Sequence, residues 1–281
     1  MDALPEFALV RAATLEEVIG ARARHPDSRL LGGGTDLVVN IRRGIIAPPV
    51  LIDINRVAEL RAIRADARSL EIGAAVNIAE VAAHQEVMRH YPVVAQAAEF
   101  IAGPTHRNMG TVGGNLFAPS PYGDFTVALL ALDATVSVQG GLGARDMPIE
   151  EFLQSRERQS GALVLAVSCQ RPASTEAFRY RKIARIKPKG GSVITLAAHL
   201  PARGGRISGA RIALGSMAAT QIRARAAERA LEGRALDDAA ISAAAAAATE
   251  GVSPADNALG SAWYRREIVG VHLRRLLSGL E

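Results

Sequence analysis

The sequence contains a single cysteine, Cys169, inside an apolar run at residues 162–169. One thiol closes no internal disulfide and cannot supply the several thiolates of an iron–sulfur cluster, so a small core residue is expected there. Long apolar runs are also missing. No segment approaches the roughly 20 residues of a membrane span, and the N-terminus, MDALPEFALVRAAT, has no basic stretch leading into an apolar one. A cytoplasmic protein is expected, although attachment to a membrane through a partner would leave no mark on the sequence. There is no Ser/His/Asp or Cys/His arrangement, no H-E-x-x-H and no zinc-ligand spacing. There is also no G-x-x-x-x-G-K-[ST], and no G-x-G-x-x-G with a βαβ pattern behind it, which excludes the Walker and Rossmann modes of phosphate binding.

What is present is an ordinary globular composition: 49% hydrophobic and 22% charged residues over 281 positions. That length suggests about two domains and a large core, and the composition argues against disorder as the reason for the many glycines. The net charge of +5 comes from scattered arginines and not from one block. A basic surface suits an acidic partner subunit or an anionic substrate, but no nucleic-acid module accompanies it.

The chain is organised around residues 101–124, IAGPTHRNMGTVGGNLFAPSPYGD, and within them Thr111, Gly113, Gly114 and Asn115. Adjacent glycines between Thr and Asn give access to positive φ and leave backbone N–H groups without steric cover. A concave run of such groups forms a nest for anionic oxygens, with the hydroxyl and amide adding directed bonds. Alone, T-x-G-G-N would be a tight turn with a capping Asn. A second loop of the same make changes that reading. Leu31, Gly32, Gly33, Gly34, Thr35, Asp36 and Leu37 read as the end of a strand, a phosphate-cradling turn and a helix start, with Thr35 or Asp36 as the cap. Two such loops far apart in sequence suit one long diphosphate cofactor. Arg107, close before the second loop, is placed where a guanidinium would meet a pyrophosphate or pair with a nearby carboxylate; His106 reads as a surface imidazole.

GGGTDL followed by RNMGTVGGN and then GDFTVALLALDATV resembles the FAD-binding, or medium, subunit of the molybdenum hydroxylases, the family of xanthine dehydrogenase, carbon monoxide dehydrogenase and 4-hydroxybenzoyl-CoA reductase. The resemblance covers essentially the whole chain. It implies an α+β, two-part FAD-binding domain of the vanillyl-alcohol oxidase and p-cresol methylhydroxylase type, at residues 1–172. A smaller α/β C-terminal domain of three strands with helices would follow at 173–281. It implies that residues 32–36 and 111–115 hold the FAD pyrophosphate and that Asp124 contacts the ribityl or adenosine side. Asp124 also stands where a carboxylate would cap the helix expected at 125–132. Asn77, expected to cap a helix at 78–84, belongs to a segment that lies near the flavin in the family. In the family's Y-x-K-x-x-R stretch, here Tyr180, Lys182 and Arg185, the lysine approaches the isoalloxazine; a solvated strand face is the alternative. The chain departs just afterwards, where Gly190, Gly191 and Ser192 replace a frequent Asp. It also runs from Asn115 to Asp124 without the cysteine-rich insertion of the 4-hydroxybenzoyl-CoA reductase subunit.

By the same resemblance, the function is transfer of electrons between an external carrier and the [2Fe-2S] clusters of a small partner subunit. A large molybdopterin subunit would act on the substrate, in a dimer of heterotrimers. Two alternatives are a self-sufficient flavoenzyme of the same fold and a scaffold that binds no flavin. The rest of the chain reads as strands at 7–11, 29–31, 70–74, 135–139, 163–170 and 211–214. Helices are expected at 14–24, 93–102, 221–232, 237–249 and 261–277, the last with an Arg-rich face that is solvated or docks on a partner. Residues 140–143 are expected as the loop between two strands, and residues 171–175 as the domain boundary.

Overall fold

The computed structural model describes residues 5–140, 143–156, 162–172, 174–186 and 190–280. Residues 141–142, 173 and 187–189, within segments that the sequence marks as loops or boundary, lie outside the described residues. Strand β1 (Ala8–Arg11) leads into helix α1 (Leu15–Arg24), where Thr14 Oγ1 accepts from Glu17 N at 3.2 Å and caps the helix as expected. Strand β2 (Arg29–Leu31), helix α2 (Leu37–Arg42) and strand β3 (Val50–Asp53) complete a parallel sheet in the order β1-β3-β2. Its central strand is the continuously apolar Val50, Leu51 and Ile52, all buried, because a middle parallel strand is covered on both faces.

Strands β4 (Ile63–Ala65) and β5 (Ser69–Gly73) begin a second sheet, interrupted by six helices: α3 (Ile78–Ala83), α4 (Gln85–His90), α5 (Pro92–Glu99), α6 (Pro104–Met109), α7 (Val112–Leu116) and α8 (Asp124–Ala131). The sheet then closes with β6 (Thr135–Gly140), β7 (Gly143–Pro148), helix α9 (Ile149–Gln154) and β8 (Leu163–Gln170), giving the antiparallel order β4-β5-β8-β6-β7. Sequence reading missed β7 and α9. β7 is an edge strand whose side chains are exposed except Met147, so it carries no apolar alternation to find.

The remaining chain forms β9 (Phe178–Ala184), β10 (Ser192–His199), a short ribbon of β11 (Ala202–Arg203) and β12 (Arg206–Ile207), then β13 (Arg211–Gly215) and β14 (Ile222–Arg223). Helices α10 (Arg225–Leu231), α11 (Asp238–Ala246) and α12 (Ala262–Leu277) follow. The third sheet, β14-β13-β10-β9, therefore has four strands where three were expected, and β14 replaces the first turn of the helix expected at 221–232. On α12, Arg265 is fully buried and donates to the carbonyls of Val193 at 2.8 Å and Ala255 at 2.6 Å. That part of the Arg-rich face is neither solvated nor free for a partner.

Helix α8 ties the halves together. All eight of its residues are buried, six of them apolar and the polar Asp124 and Thr126 hydrogen-bonded, and it packs against β10, β13 and α5. One core consequently runs from the five-stranded sheet through Phe125 and Leu129 to Phe178, Tyr180, Ala197 and Ala213 of the third sheet. Burying each such Phe or Leu contributes about 1.5–3 kcal/mol. The opposite face of β10 and β13, including Ile194, Leu196 and Leu214, packs on α10 to α12.

Candidate functional site

The two glycine loops touch. A Cβ on Gly32 would lie 2.9 Å from Thr111 Oγ1, and one on Gly33 would lie 1.9 Å from the Met109 carbonyl oxygen. At both positions glycine is required by close approach of the other loop and not by a positive φ. Of the three consecutive glycines only Gly34 is left-handed, at φ 69°. The first loop is held from beneath by Asn55, whose Nδ2 donates to the Gly32 carbonyl at 3.0 Å and to Asp53 Oδ1 at 2.8 Å. Asn55 escaped sequence reading, yet the D-I-N that ends the central strand is a local Asx pattern that points to it.

The second loop corrects the expectation of a positive-φ nest. Residues Val112–Leu116 are a short helix, and Thr111 Oγ1 accepts from Gly114 N at 3.1 Å. Gly113 packs on the chain: its N–H donates to Ala74 O at 2.9 Å and an added Cβ would meet Ala74 Cβ at 2.8 Å. Gly114 instead faces a cavity. Asn115 spends its side-chain oxygen on helix α8, accepting from Thr126 N at 3.1 Å and Thr126 Oγ1 at 2.9 Å, which leaves only its Nδ2 for a ligand. The expected cap on α2 is corrected too. Asp36 occupies the N-cap position but makes no side-chain cap bond.

Two cavities of about 420 and 440 Å³ flank these loops and share Thr35, Asp36, Asn40, Thr111 and Pro119 as their common wall. The first also takes in Gly32, Gly33, Gly34, Leu37 and Gly114, and is lined by Leu30, Phe117 and Ala162 with Arg29 and Arg156. The second takes in Asn115, Ile78, Ile101, Tyr122, Asp124 and Lys182. Protein packed around Asp36 pushes its carboxyl above the ordinary carboxylate range, and His106, exposed at the rim, opposes the rise.

Asp124 and Lys182, 58 residues apart in sequence, form a buried ion pair at 2.9 Å. Asp124 Oδ1 also accepts from Ser192 Oγ at 2.6 Å and Thr195 Oγ1 at 2.5 Å, while Lys182 Nζ donates to Phe100 O at 2.9 Å. Strict alternation would turn Ser192 and Thr195 to opposite faces of β10. A bulge between Ser192 and Ile194 shifts the register, so both hydroxyls reach one carboxylate. The Lys182 side chain is therefore only 5% exposed, contrary to the alternative of a solvated strand face, and Gly123, left-handed at φ 89°, takes the cap position that Asp124 was expected to hold. Burial, followed by the charge of Asp124, pushes the nearby Tyr180 phenol well above its ordinary range.

The remaining predicted residues stand outside the cavities. Among the described residues Arg107 meets no carboxylate; its Nη1 donates to the carbonyls of Ile101 and Ala102, both at 2.9 Å, bracing a turn in which Ala102 is left-handed at φ 35°. Asn77 accepts no ligand-facing position either: its Nδ2 donates to Asn108 O at 2.7 Å and its N–H to Glu80 Oε2 at 2.8 Å, joining α3 to α6. Leu31 accepts at its carbonyl from Ile54 N at 3.1 Å and ends β2. Cys169 is buried as expected, its thiol pushed up to about 12 by burial and chemically quiet.

Residues 5–169 match the family profile described as the FAD binding domain in molybdopterin dehydrogenase, more than half of the chain. The chain belongs to this family of FAD-binding molybdopterin dehydrogenase subunits. Residues 179–280 match the CO dehydrogenase flavoprotein C-terminal domain. A relative of the FAD-binding family, 6-hydroxypseudooxynicotine dehydrogenase complex subunit alpha of Paenarthrobacter nicotinovorans, is 32% identical over 98% of this chain and 94% of its own. The carbon monoxide dehydrogenase medium chain of Hydrogenophaga pseudoflava is 30% identical over 90% of this chain and 88% of its own. Among solved structures, carbon monoxide dehydrogenase from Hydrogenophaga pseudoflava superposes with a TM-score of 0.91 at 30% identity, covering 99% of this chain and 98% of that one. Quinoline 2-oxidoreductase from Pseudomonas putida 86 gives 0.88 at 27% identity, covering 99% and 98%. The fold is thus the expected α+β FAD-binding arrangement with a separate C-terminal domain.

The residues present fit the family's cofactor. Gly34 and Gly114 line the first cavity, and the wall common to both cavities offers the Thr35 and Thr111 hydroxyls and the Asn40 amide, groups suited to phosphate oxygens.

Proposed function

We propose that the chain binds FAD across both glycine loops and serves as the electron-transfer subunit of a multi-subunit molybdenum hydroxylase. The observation that carries the reading is the contact of the loops at Gly32, Gly33, Thr111 and Met109, which makes one polar waist between two cavities. In this reading the pyrophosphate lies against Thr35, Thr111, Gly114 and Asn115. The adenosine lies beside Leu30 and Phe117, and the isoalloxazine lies in the cavity that holds Lys182. Gly33 and Gly113 set the spacing without touching the cofactor. Asn77 and Arg107, placed by the sequence reading among the cofactor contacts, shape the neighbouring backbone.

FAD supplies an electron store that is filled and emptied singly or in pairs, and the protein supplies its binding, orientation and electrostatic surroundings. Nothing in this reading asks a side chain to act as acid, base or nucleophile. The domain boundary falls near residue 172. The partners are a small [2Fe-2S] subunit and a large molybdopterin subunit in a dimer of heterotrimers, and the complex works in the cytoplasm with an external electron carrier. Co-expression of the tagged chain with the two neighbouring subunits tests this. Co-purification of FAD, iron and molybdenum in stoichiometric amounts is expected, and a folded chain that recovers neither partner nor flavin would overturn it.

A further inference from the structure

A third cavity, of about 400 Å³, lies away from the glycine loops, where β13, β14 and α10 meet the end of α8. Four guanidinium groups converge on it from three elements: Arg211 from β13, Arg223 from β14, and Arg225 and Arg229 from α10. The carboxylates around it are already committed. Glu232 accepts from Gly209 N with both oxygens, at 2.9 and 3.1 Å. Glu228 Oε1 accepts from Ile212 N at 2.8 Å and from Arg223 Nε at 2.5 Å, and its other oxygen lies 3.7 Å from Arg225 Nη1. Asp133, left-handed at φ 56°, pairs with Arg211 at 2.9 Å, and Arg225 pairs with Glu150 outside the cavity wall. With Glu150 counted, four arginines face four carboxylates and no net charge is left over. What is left over is donor capacity, because a guanidinium carries five N–H groups against about four lone-pair sites on a carboxylate. The Arg229 side chain has no partner among the described residues. Arg223 is only 6% exposed, and what exposure it has is to this cavity. A buried guanidinium in the wall of a cavity whose acceptors are spent is arranged to meet an acceptor from outside.

We propose that this cavity binds a phosphate dianion, either free or as the terminal group of a small phosphate ester, with Arg229 and Arg223 as its main donors. Guanidinium forks that approach from two strands and a helix suit an anion with oxygens pointing in several directions, which a tetrahedral phosphate offers and a planar carboxylate does not. The volume lies within the range of about 300–1,000 Å³ usual for small-molecule sites, so an organic group attached to the phosphate has room. The site is independent of the FAD reading: it shares no lining residue with the two cavities at the glycine loops.

The test titrates inorganic phosphate and, separately, glycerol 3-phosphate into the full chain by calorimetry at low ionic strength, with excess FAD present to occupy the glycine loops. Saturable binding at one site per chain is expected. Glycerol 3-phosphate binding more tightly than phosphate supports an ester as the occupant, and equal affinity supports free phosphate. Arg229→Gln removes a side chain with no partner to lose, so the fold should stand, and it is expected to weaken both probes about fivefold or more, as loss of a charge-assisted contact does. The double Arg225→Gln, Arg229→Gln should weaken them further. Arg266→Gln, the same change of charge on an exposed residue of α12 outside the cavity, should leave both affinities as they were. No saturable binding of either probe at millimolar concentrations would overturn the proposal. So would binding that Arg229→Gln leaves unchanged, or that Arg266→Gln weakens equally, since it would then lie elsewhere or follow net charge alone. The variants report on this cavity, so the outcome can be read whether or not the glycine loops hold FAD.

Discussion

Replacing Gly33 with Ala perturbs the site at the one place where the two loops are closest. The new methyl group would sit 1.9 Å from the Met109 carbonyl oxygen, 2.5 Å from its carbon and 2.8 Å from Gly110 Cα. All three are backbone atoms, so no flexible side chain can swing aside. Relief to ordinary van der Waals distance requires the loops to part by about 1.5 Å. Overpacking of this kind costs about 1–3 kcal/mol. If the separation of the loops absorbs it, FAD affinity falls by about five- to 150-fold, at tenfold per 1.4 kcal/mol. Titration of FAD into the apoprotein, followed by quenching of flavin fluorescence, measures the loss, and circular dichroism confirms that the variant is folded. Gly140→Ala is the control. Gly140 lies at the end of β6, away from the cavities, where an added Cβ meets its nearest atom at 3.6 Å, and affinity should not change. A folded Gly33→Ala chain with wild-type FAD affinity would refute the claim that contact between the loops sets the diphosphate site.

Gly114→Val places a branched side chain against Thr111 Oγ1, where even a Cβ would stand at 3.0 Å, and at a cavity wall; FAD retention through gel filtration should be lost in a chain whose secondary structure is intact. Arg107→Gln removes the brace on the Ile101 and Ala102 carbonyls, and since both residues line the second cavity, FAD affinity should fall about tenfold or less with a small loss of melting temperature. His199 has two buried ring nitrogens without partners among the described residues, and burial, with Arg211 adding to it and Asp133 opposing, brings its pKa from 6.5 down to about 4. The folded pKa is the lower one, so the unfolded chain takes up the proton first. Stability should therefore fall as pH drops from about 6.5 to about 4. His199→Phe should flatten that part of a urea-denaturation series; an unchanged slope would remove His199 as the cause.

The glycine loops were legible in the sequence because their signal is local: glycines between small polar residues, bounded by apolar segments, keep their meaning wherever they fold. What each glycine does was not legible. Gly33, Gly113 and Gly114 look alike on paper, but their roles depend on Met109, Ala74 and a cavity, brought near by tertiary packing. Asp124 was expected at the site, but its hydroxyl partners lie 68 and 71 residues further on and share a face only through the β10 bulge. Arg107 misled for a related reason. Its partners are backbone carbonyls, which leave no trace in side-chain identity. The short helix α7 was missed because two glycines lower helix propensity, a penalty offset here by the Thr111 cap and by packing of Gly113 on Ala74. By contrast α1 and α8 carried caps or apolar composition strong enough to be placed within a residue or two.

The most direct measurement is the visible absorption spectrum of the purified chain after incubation with FAD and gel filtration, with the released cofactor identified by chromatography. The account predicts one FAD per chain with a perturbed flavin spectrum, and its loss in Gly114→Val. A folded chain that emerges colourless, both alone and in complex with its partner subunits, would contradict it.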